Sequence, residues 1–193
     1  MAKTLLQRIT ESLAKEGLKP RSNAARDWLR SKVKELKPSA QTLMNDRKKL
    51  RDSSIIGKMY FYFYDPKTKE KMKYYDRFPL VIPIENYKDG FLGLNLHYIH
   101  PKQRIILLDK LSATASNKSF DENTKLRISY AYLAAAAKAF EANPCIKRYL
   151  FSHVQSRFLE ITANEWDIAV MLPVESFVGA TTSKVYSDSR KKF

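Results

Sequence analysis

The stretch Met59-Tyr60-Phe61-Tyr62-Phe63-Tyr64, written MYFYFY, determines the architecture at the centre of the chain. Aromatic residues are enriched in β-strands, so these six residues predict a strand. Successive side chains of a strand point to opposite faces of the sheet. The tyrosines are therefore expected on one face and the phenylalanines on the other, which favours a strand buried on both sides.

Turn and strand signals continue after this stretch. Asp65-Pro66-Lys67-Thr68 predicts a turn, after which residues 71–75 return as a hairpin partner. Residues 80–84 predict a short strand near a sheet edge, because Pro83 has no N–H to donate in a central ladder. Asp89-Gly90 is a hairpin turn signal that precedes one more strand. These signals predict a central antiparallel sheet of three to five strands.

Helical signals dominate the chain after the sheet. Pro101 suits the first turn of a helix, and the capping-box pattern Ser119-x-x-Glu122 opens the longest predicted helix, which runs to about residue 142. Pro144 is expected to start another helix through residue 154. Residues 157–161 alternate like a strand, and Thr162-x-x-Glu165 is a second capping box that precedes a helix.

The first third of the chain has a different composition. Residues 1–58 carry 15 Lys and Arg against 6 Asp and Glu, and Trp28 is their one aromatic residue. All 11 Tyr and all 10 Phe lie further on. Helical spacing of apolar residues predicts helices near residues 5–14 and 22–36, with Ser39 capping a third. This third is interpreted as a basic helical arm.

The order of these segments predicts the α+β class, with a basic N-terminal helical arm, a central antiparallel sheet and C-terminal helices packed on it. The predicted units are the arm at residues 1–58, an α+β body at 59–180 and a polar, basic tail at 181–193. Short isolated helices are marginal in water, so the apolar stripes of the arm must dock on the body or on a neighbouring subunit. Because most large core-forming side chains follow residue 58, a chain lacking residues 1–56 is expected to fold but to lose most of its binding.

The formal net charge of +15 predicts a polyanionic partner, most often nucleic acid. A membrane surface is disfavoured, since no basic amphipathic helix with a large apolar face is evident, and an acidic protein partner stays open. Cations on one helix face are often merely solvated, but they also neutralise phosphates. The predicted nucleic-acid contacts are Arg21, Arg26, Arg30, Lys34, Lys37, Arg47, Lys48, Lys49 and Arg51.

Catalytic and cofactor motifs are missing from the sequence. It contains no phosphate-cradling glycine loop, G-x-S-x-G or H-E-x-x-H, so no cofactor and no small-molecule substrate are predicted. A single cysteine, Cys145, excludes an internal disulfide. A zinc site with four ligands would need every His and Cys of the chain, so a zinc site is disfavoured. Those ligands are His97, His100, His153 and Cys145.

A metal-dependent nuclease is one enzymatic alternative. Asp65-Pro66-Lys67 has an acid-x-Lys spacing and would need Asp46 or Asp52 as a second carboxylate. The favoured interpretation is that Asp65-Pro66 starts a turn, so no enzyme is predicted. Between two strands, four residues are expected to serve architecture rather than binding: Tyr74, Asp76, Arg77 and Pro79.

Several motifs resemble those of virion proteins of T-even-like contractile-tailed phages, most closely the DNA end protector proteins. The resemblance covers residues 57–190. It rests on MYFYFYDPKTK at 59–69, YYDRFPL at 74–80, DGFLGLNLHY at 89–98, residues 149–158, EWDIA at 165–169 and LPVE at 172–175.

The resemblance implies a minor structural protein of the particle, made in the host cytoplasm, whose partners are double-stranded DNA ends and other virion proteins. Members of this family cap the ends of packaged DNA and block host exonuclease without catalysis. An architectural component of the baseplate hub or neck is the main alternative. One tyrosine set of MYFYFY stacking on bases at a DNA end is a further, less favoured idea.

Overall fold

The computed structural model describes residues 3–115 and 145–190. Three helices open the chain: α1 (Leu5–Lys15), α2 (Asn23–Leu36) and α3 (Ala40–Met44). The side chains of Thr4, Ser22 and Ser39 accept backbone N–H groups at the three N-termini. Helix α2 ends at Lys37, which has a left-handed conformation (φ 43°) and precedes a proline. The helices predicted near residues 5–14 and 22–36 and the cap at Ser39 are confirmed, but the third helix ends at Met44, before the basic residues 47–51.

Eight strands lie in the described residues: β1 (Leu50–Arg51), β2 (Met59–Phe61), β3 (Tyr75–Asp76), β4 (Leu80–Tyr87), β5 (Gly90–Asn95), β6 (Ile146–Leu150), β7 (Phe158–Ile161) and β8 (Phe177–Val178). Six of them form an antiparallel sheet in the order β1-β7-β2-β4-β5-β6, and β3 pairs with β8. The α+β class is confirmed. The sheet has one strand more than the upper limit expected, because the edge strands β1 and β6 carry no alternating signal.

Two predicted details of the sheet are wrong. Residues 71–75 do not return beside MYFYFY, because β4 and β7 occupy the two sides of β2, and Tyr75 pairs with Val178 instead. The strand with Pro83 is not near an edge, since β4 lies between β2 and β5. The ladder shifts register between Pro83 and Glu85, and this irregularity accommodates the missing N–H.

The helix predicted from Pro144 is also wrong, because residues 146–150 form the edge strand β6. All five pair with β5, and a Cβ at Gly90 would collide with the carbonyl oxygen of Tyr149, so glycine permits this pairing. The strand predicted at 157–161 is confirmed as β7, and the Thr162 capping box precedes α5 (Trp166–Met171). The predicted long helix at 119–142 lies outside the described residues.

Within residues 3–115 and 145–190, the remaining helices are α4 (Pro101–Ala115), which begins at the predicted proline, and α6 (Thr182–Arg190). Arg104 on α4 is fully buried and joins the C-terminal elements. Its guanidinium donates to Glu175 Oε1 at 2.6 Å and to the Tyr186 hydroxyl at 2.6 Å. Burial opposes the ionisation of Glu175, but electrostatic interactions with His97 and Arg104, together with the hydrogen bond from Arg104, outweigh it and lower the pKa of this carboxyl. No helix among the described residues is long and apolar enough to cross a membrane.

The sheet separates two hydrophobic cores. The larger core holds Phe61 and the buried residues of α1, α2, α3, α4 and α5, so the N-terminal helices dock on the body. The smaller core is aromatic and holds Tyr60, Tyr62 and Tyr64 with Phe91. Both ring sets of MYFYFY are thus packed inside the protein, as the alternation predicted. The boundary at residue 58 stays a prediction, although the larger core extends across it.

Candidate nucleic-acid interface

Four of the nine predicted contact residues carry charges that face solvent. Lys34 and Lys37 lie at the end of α2, and Arg47 and Lys48 lie in the short 3-10 turn before β1. All four side chains are exposed. None of them forms an ion pair with another described residue, so their charges are available to a polyanion.

Arg26 is one of the nine predicted contact residues, but it does not face solvent on α2. The residue is 7% exposed, and Ala25 and Leu29 on the same helix are buried as well. Its Nε and Nη2 donate to the two carboxylate oxygens of Asp167, each at 3.0 Å, and Nη1 donates to Asp109 Oδ2 at 3.1 Å. Hydrogen bonds to Asp167, and next to Asp109, raise the Arg26 pKa above its ordinary value. This guanidinium ties α2 to α5 and α4.

Three further predicted residues are partly or fully exposed but also bond to other groups of the protein. Arg21 is exposed, and its Nη2 donates to the carbonyl of Ala163 at 3.0 Å. Arg30 is exposed and pairs with Asp27 one turn earlier at 2.6 Å. Lys49 is half-buried and bonds to Glu165, the acid of the second capping box, with Asp46 at 3.7 Å. Lys49 therefore serves mainly to anchor the turn to the body.

Arg51, the ninth predicted residue, belongs to a cluster of cations at the β1 edge of the sheet. Its Nε donates to Glu160 Oε2 at 2.8 Å, and Lys58 Nζ donates to the other oxygen of the same carboxylate at 2.8 Å. Arg157 lies beside them, with its Nε 2.7 Å from Asp52 Oδ1. Because Arg51 is the register partner of Phe158, the β1–β7 pairing brings Arg157 next to Arg51.

We call the five cations Arg47, Lys48, Arg51, Lys58 and Arg157 the basic edge. Two carboxylates lie among them, so the basic edge has a net charge of +3. The hydrogen bond from Lys58 is the main factor that lowers the Glu160 pKa and keeps this carboxylate ionised. Cations on an edge strand also discourage sheet-to-sheet association. Sequence reasoning missed Lys58 and Arg157, since only long-range strand pairing joins them to residues 47–51.

Asp76 organises a buried polar network behind the sheet. The carboxylate is 4% exposed, and its Oδ2 lies 2.7 Å from His97 Nδ1. Its Oδ1 accepts the backbone N–H groups of Phe78 and Ser176 at 3.1 and 3.3 Å. Asn95 completes the network with a bond to Asp76 Oδ2 at 3.3 Å. These contacts join β3, β5 and the C-terminal segment, which agrees with the architectural role expected for Asp76.

The acids proposed for a nuclease site are not brought together. Asp65 is paired with Lys69 at 2.9 Å, Asp52 with Arg157, and Asp46 is buried near Lys49. Each carboxylate therefore serves a different part of the chain. Among the described residues, no three His, Cys, Asp or Glu side chains are grouped as a metal site would require.

The soft ligands considered for zinc have separate environments. His97 binds Asp76, while His153 Nδ1 lies 2.8 Å from the carbonyl oxygen of Asp65. His100 accepts the Lys102 N–H at 3.3 Å in the first turn of α4, as expected for a cap. Cys145 is buried, and burial raises its thiol pKa to about 12. Burial therefore disfavours the thiolate, which is the form of cysteine that binds metals.

Comparison with known proteins adds an independent line of evidence. A family model described as the phage T4 terminal DNA protecting protein matches residues 4–191. The match includes the basic edge, the buried Asp76 network and the first helices. No curated protein and no solved structure matches the chain.

Proposed function

Because the chain belongs to the family of the phage T4 terminal DNA protecting protein, we propose that it binds the ends of packaged double-stranded DNA and shields them from host exonuclease. In this proposal the protein is a stoichiometric, non-catalytic component of the virion, made in the host cytoplasm. Its partners there are the DNA end and neighbouring virion proteins.

The observation that carries the proposal is the basic edge. Arg47 and Lys48 are exposed without ion pairs to other described residues, and Arg51, Lys58 and Arg157 are each about half-exposed beside the two carboxylates. Lys and Arg side chains that contact phosphates release counterions, which favours binding to DNA of any sequence. Lys34 and Lys37 extend the set of available cations, whereas Arg26 is excluded from it because it is buried.

A protection assay tests the proposal. Linear duplex DNA is incubated with an exonuclease that degrades from ends, with and without the purified protein, and the surviving DNA is measured. We expect the protein to preserve linear DNA, and we expect Arg47→Gln/Lys48→Gln/Arg157→Gln to weaken this protection. A matched control, Lys71→Gln/Lys88→Gln/Lys102→Gln, removes three exposed cations outside the basic edge and is expected to protect like the original chain.

Three results would count against the proposal. Equal protection by both triple variants would mean that the basic edge is not the contact surface. Degradation of the DNA by the protein itself in Mg²⁺ would favour the nuclease alternative. A protein that protects no ends, but that particles carry at the baseplate or neck, would favour the architectural alternative.

A further inference from the structure

A cavity of about 240 Å³ lies against β6, the strand at the opposite edge of the sheet from β1 and the basic edge. Its walls include four tyrosines from separate parts of the chain. These are Tyr64, Tyr75, Tyr98 and Tyr149. Aromatic walls of this kind favour a flat guest, because rings stack or meet edge to face.

The floor of the cavity is polar but already satisfied. Asp76 and Asn95 line it, and both Asp76 oxygens are occupied by the donors of the buried network. The Asn95 amide donates to Asp76 and to the Tyr149 hydroxyl at 3.1 Å, and its oxygen accepts the His97 N–H. The floor therefore offers little hydrogen-bonding capacity, and a guest would be held mainly by the ring surfaces.

Two lysines line the same cavity and give it a positive charge. Lys147 is two residues before Tyr149 on β6, so both side chains emerge on the same face of the sheet. The Lys147 ammonium lies 4.7 Å from the centroid of the Tyr98 ring. Lys67 is exposed and follows Pro66, another lining residue. The aromatic walls suit the flat base of a nucleotide, and the adjacent cations suit its phosphate.

The size of the cavity limits the ligand. It is smaller than the roughly 300 Å³ at which pockets begin to hold drug-sized molecules, so one base fits this scale better than a base pair. A base inside a duplex is stacked and paired, whereas an unpaired base at an end can be inserted at lower cost.

We propose that the tyrosine cavity binds the base of an unpaired terminal nucleotide of DNA, with the adjoining phosphate against Lys67 and Lys147. The inference rests on the proposed function, because the cavity would recognise an unpaired terminal base, and such a base distinguishes a DNA end from the interior of a duplex. Base stacking on aromatic side chains tolerates any sequence, which suits a protector of genome ends.

The test compares a blunt duplex with the same duplex carrying one unpaired nucleotide, each titrated with the full chain. We expect the unpaired nucleotide to tighten binding about 5- to 150-fold, the range that stacking of one base supplies. The fluorescent adenine analogue 2-aminopurine at the unpaired position is expected to be quenched on binding. The same analogue inside the duplex is expected to keep its signal.

Substitutions locate the effect. Tyr75→Leu removes a half-buried ring but keeps an apolar side chain, and Lys67→Gln removes an exposed charge with little risk to folding. Both are expected to reduce the preference for the unpaired nucleotide. The matched control Lys71→Gln changes an exposed lysine four residues away that does not line the cavity, and it is expected to keep the preference.

The outcomes separate the two proposals. If blunt ends are bound and protected but the unpaired nucleotide adds nothing, the cavity inference is wrong and the proposed function stands. If neither end is bound, both are wrong. A preference that persists in both Tyr75→Leu and Lys67→Gln would place the unpaired base elsewhere and overturn the inference.

Discussion

Replacing Arg26 distinguishes a structural cation from a DNA contact. In Arg26→Met the carboxylate of Asp167 keeps its buried position, with 12% of its side chain exposed, but loses both hydrogen bonds from the guanidinium. Removing one partner of a buried ion pair costs about 3–5 kcal/mol. The bond to Asp109 adds at most about 1 kcal/mol, because the Asp109 side chain is 53% exposed and screened by solvent.

This loss is a large part of the 5–15 kcal/mol that stabilises a typical domain. For a chain of this length it corresponds to a fall in Tm of roughly 6–20 °C. Urea unfolding followed by circular dichroism measures the change. The matched control is Arg30→Met, one turn further along α2, where an exposed pair with Asp27 is worth about 0.5 kcal/mol or less.

DNA binding of the folded variants gives the second measurement. We expect Arg26→Met to keep the slope of log affinity against log salt, because a buried guanidinium contacts no phosphate. Adding Asp167→Leu is expected to restore stability, since replacing a whole buried ion pair by apolar residues is often neutral or stabilising. The reasoning fails if Arg26→Met unfolds at the same urea concentration as the original chain and lowers the salt slope by about one.

Three further predictions follow from other contacts. Lys48→Gln is expected to lower the salt slope for DNA by about one and to leave urea unfolding unchanged; an unaltered slope would remove Lys48 from the interface. Glu160→Gln is expected to lower Tm at pH 7, because the pKa of Glu160 is lower in the folded than in the unfolded state. This stabilisation is complete above the unfolded-state pKa and is lost as the pH falls through the lowered folded-state pKa, so the difference in Tm should shrink below about pH 4. A constant difference from pH 7 to pH 3 would contradict this. Deleting residues 1–56 tests whether the arm is separable: the shared larger core leads us to expect loss of cooperative melting, and a sharp transition would support the original division at residue 58.

Local signals in the sequence predicted the elements that depend on near neighbours in the chain. Ser22 and Ser39 cap helices because the hydroxyl reaches an N–H only three residues away. Pro101 and the Thr162 capping box act over the same short range. The alternation of MYFYFY likewise predicted burial of both ring sets, since it depends only on the period of a strand.

Long-range pairing explains what the sequence left undetermined. Arg26 lies three residues before Leu29, so its place on the apolar side of α2 was visible in the spacing. Its acidic partners were not visible, because they lie 83 and 141 residues away. Strand β6 was predicted as a helix since Pro144 is a local signal, whereas five pairings with β5 are a tertiary one.

The same limit applies to the candidate sites. Residues 47–51 were recognisable as a basic cluster from the sequence. Arg157 joins them only through the β1–β7 register, and the tyrosine cavity is formed by residues from four separate segments. A basic cluster of consecutive residues can be recognised in the sequence, whereas a cavity lined by separate segments forms only when the sheet has assembled.

The basic edge and the tyrosine cavity would contribute differently to the recognition of a DNA end. Every phosphate of a duplex offers the same charge, so the basic edge by itself binds the interior of DNA as readily as its end. An end differs from the interior in its terminal bases, which are free on one face or unpaired. Preference for ends therefore requires a second contact that responds to a base, and the tyrosine cavity with Lys67 and Lys147 is our candidate for it.

Weakening the basic edge should reduce affinity for all DNA equally, whereas weakening the cavity should abolish the preference for ends and spare the interior. Comparing the two classes of variant on linear and circular DNA of equal length separates these contributions. Cavity variants that weaken binding to linear and circular DNA equally would contradict separate roles for the two edges of the sheet.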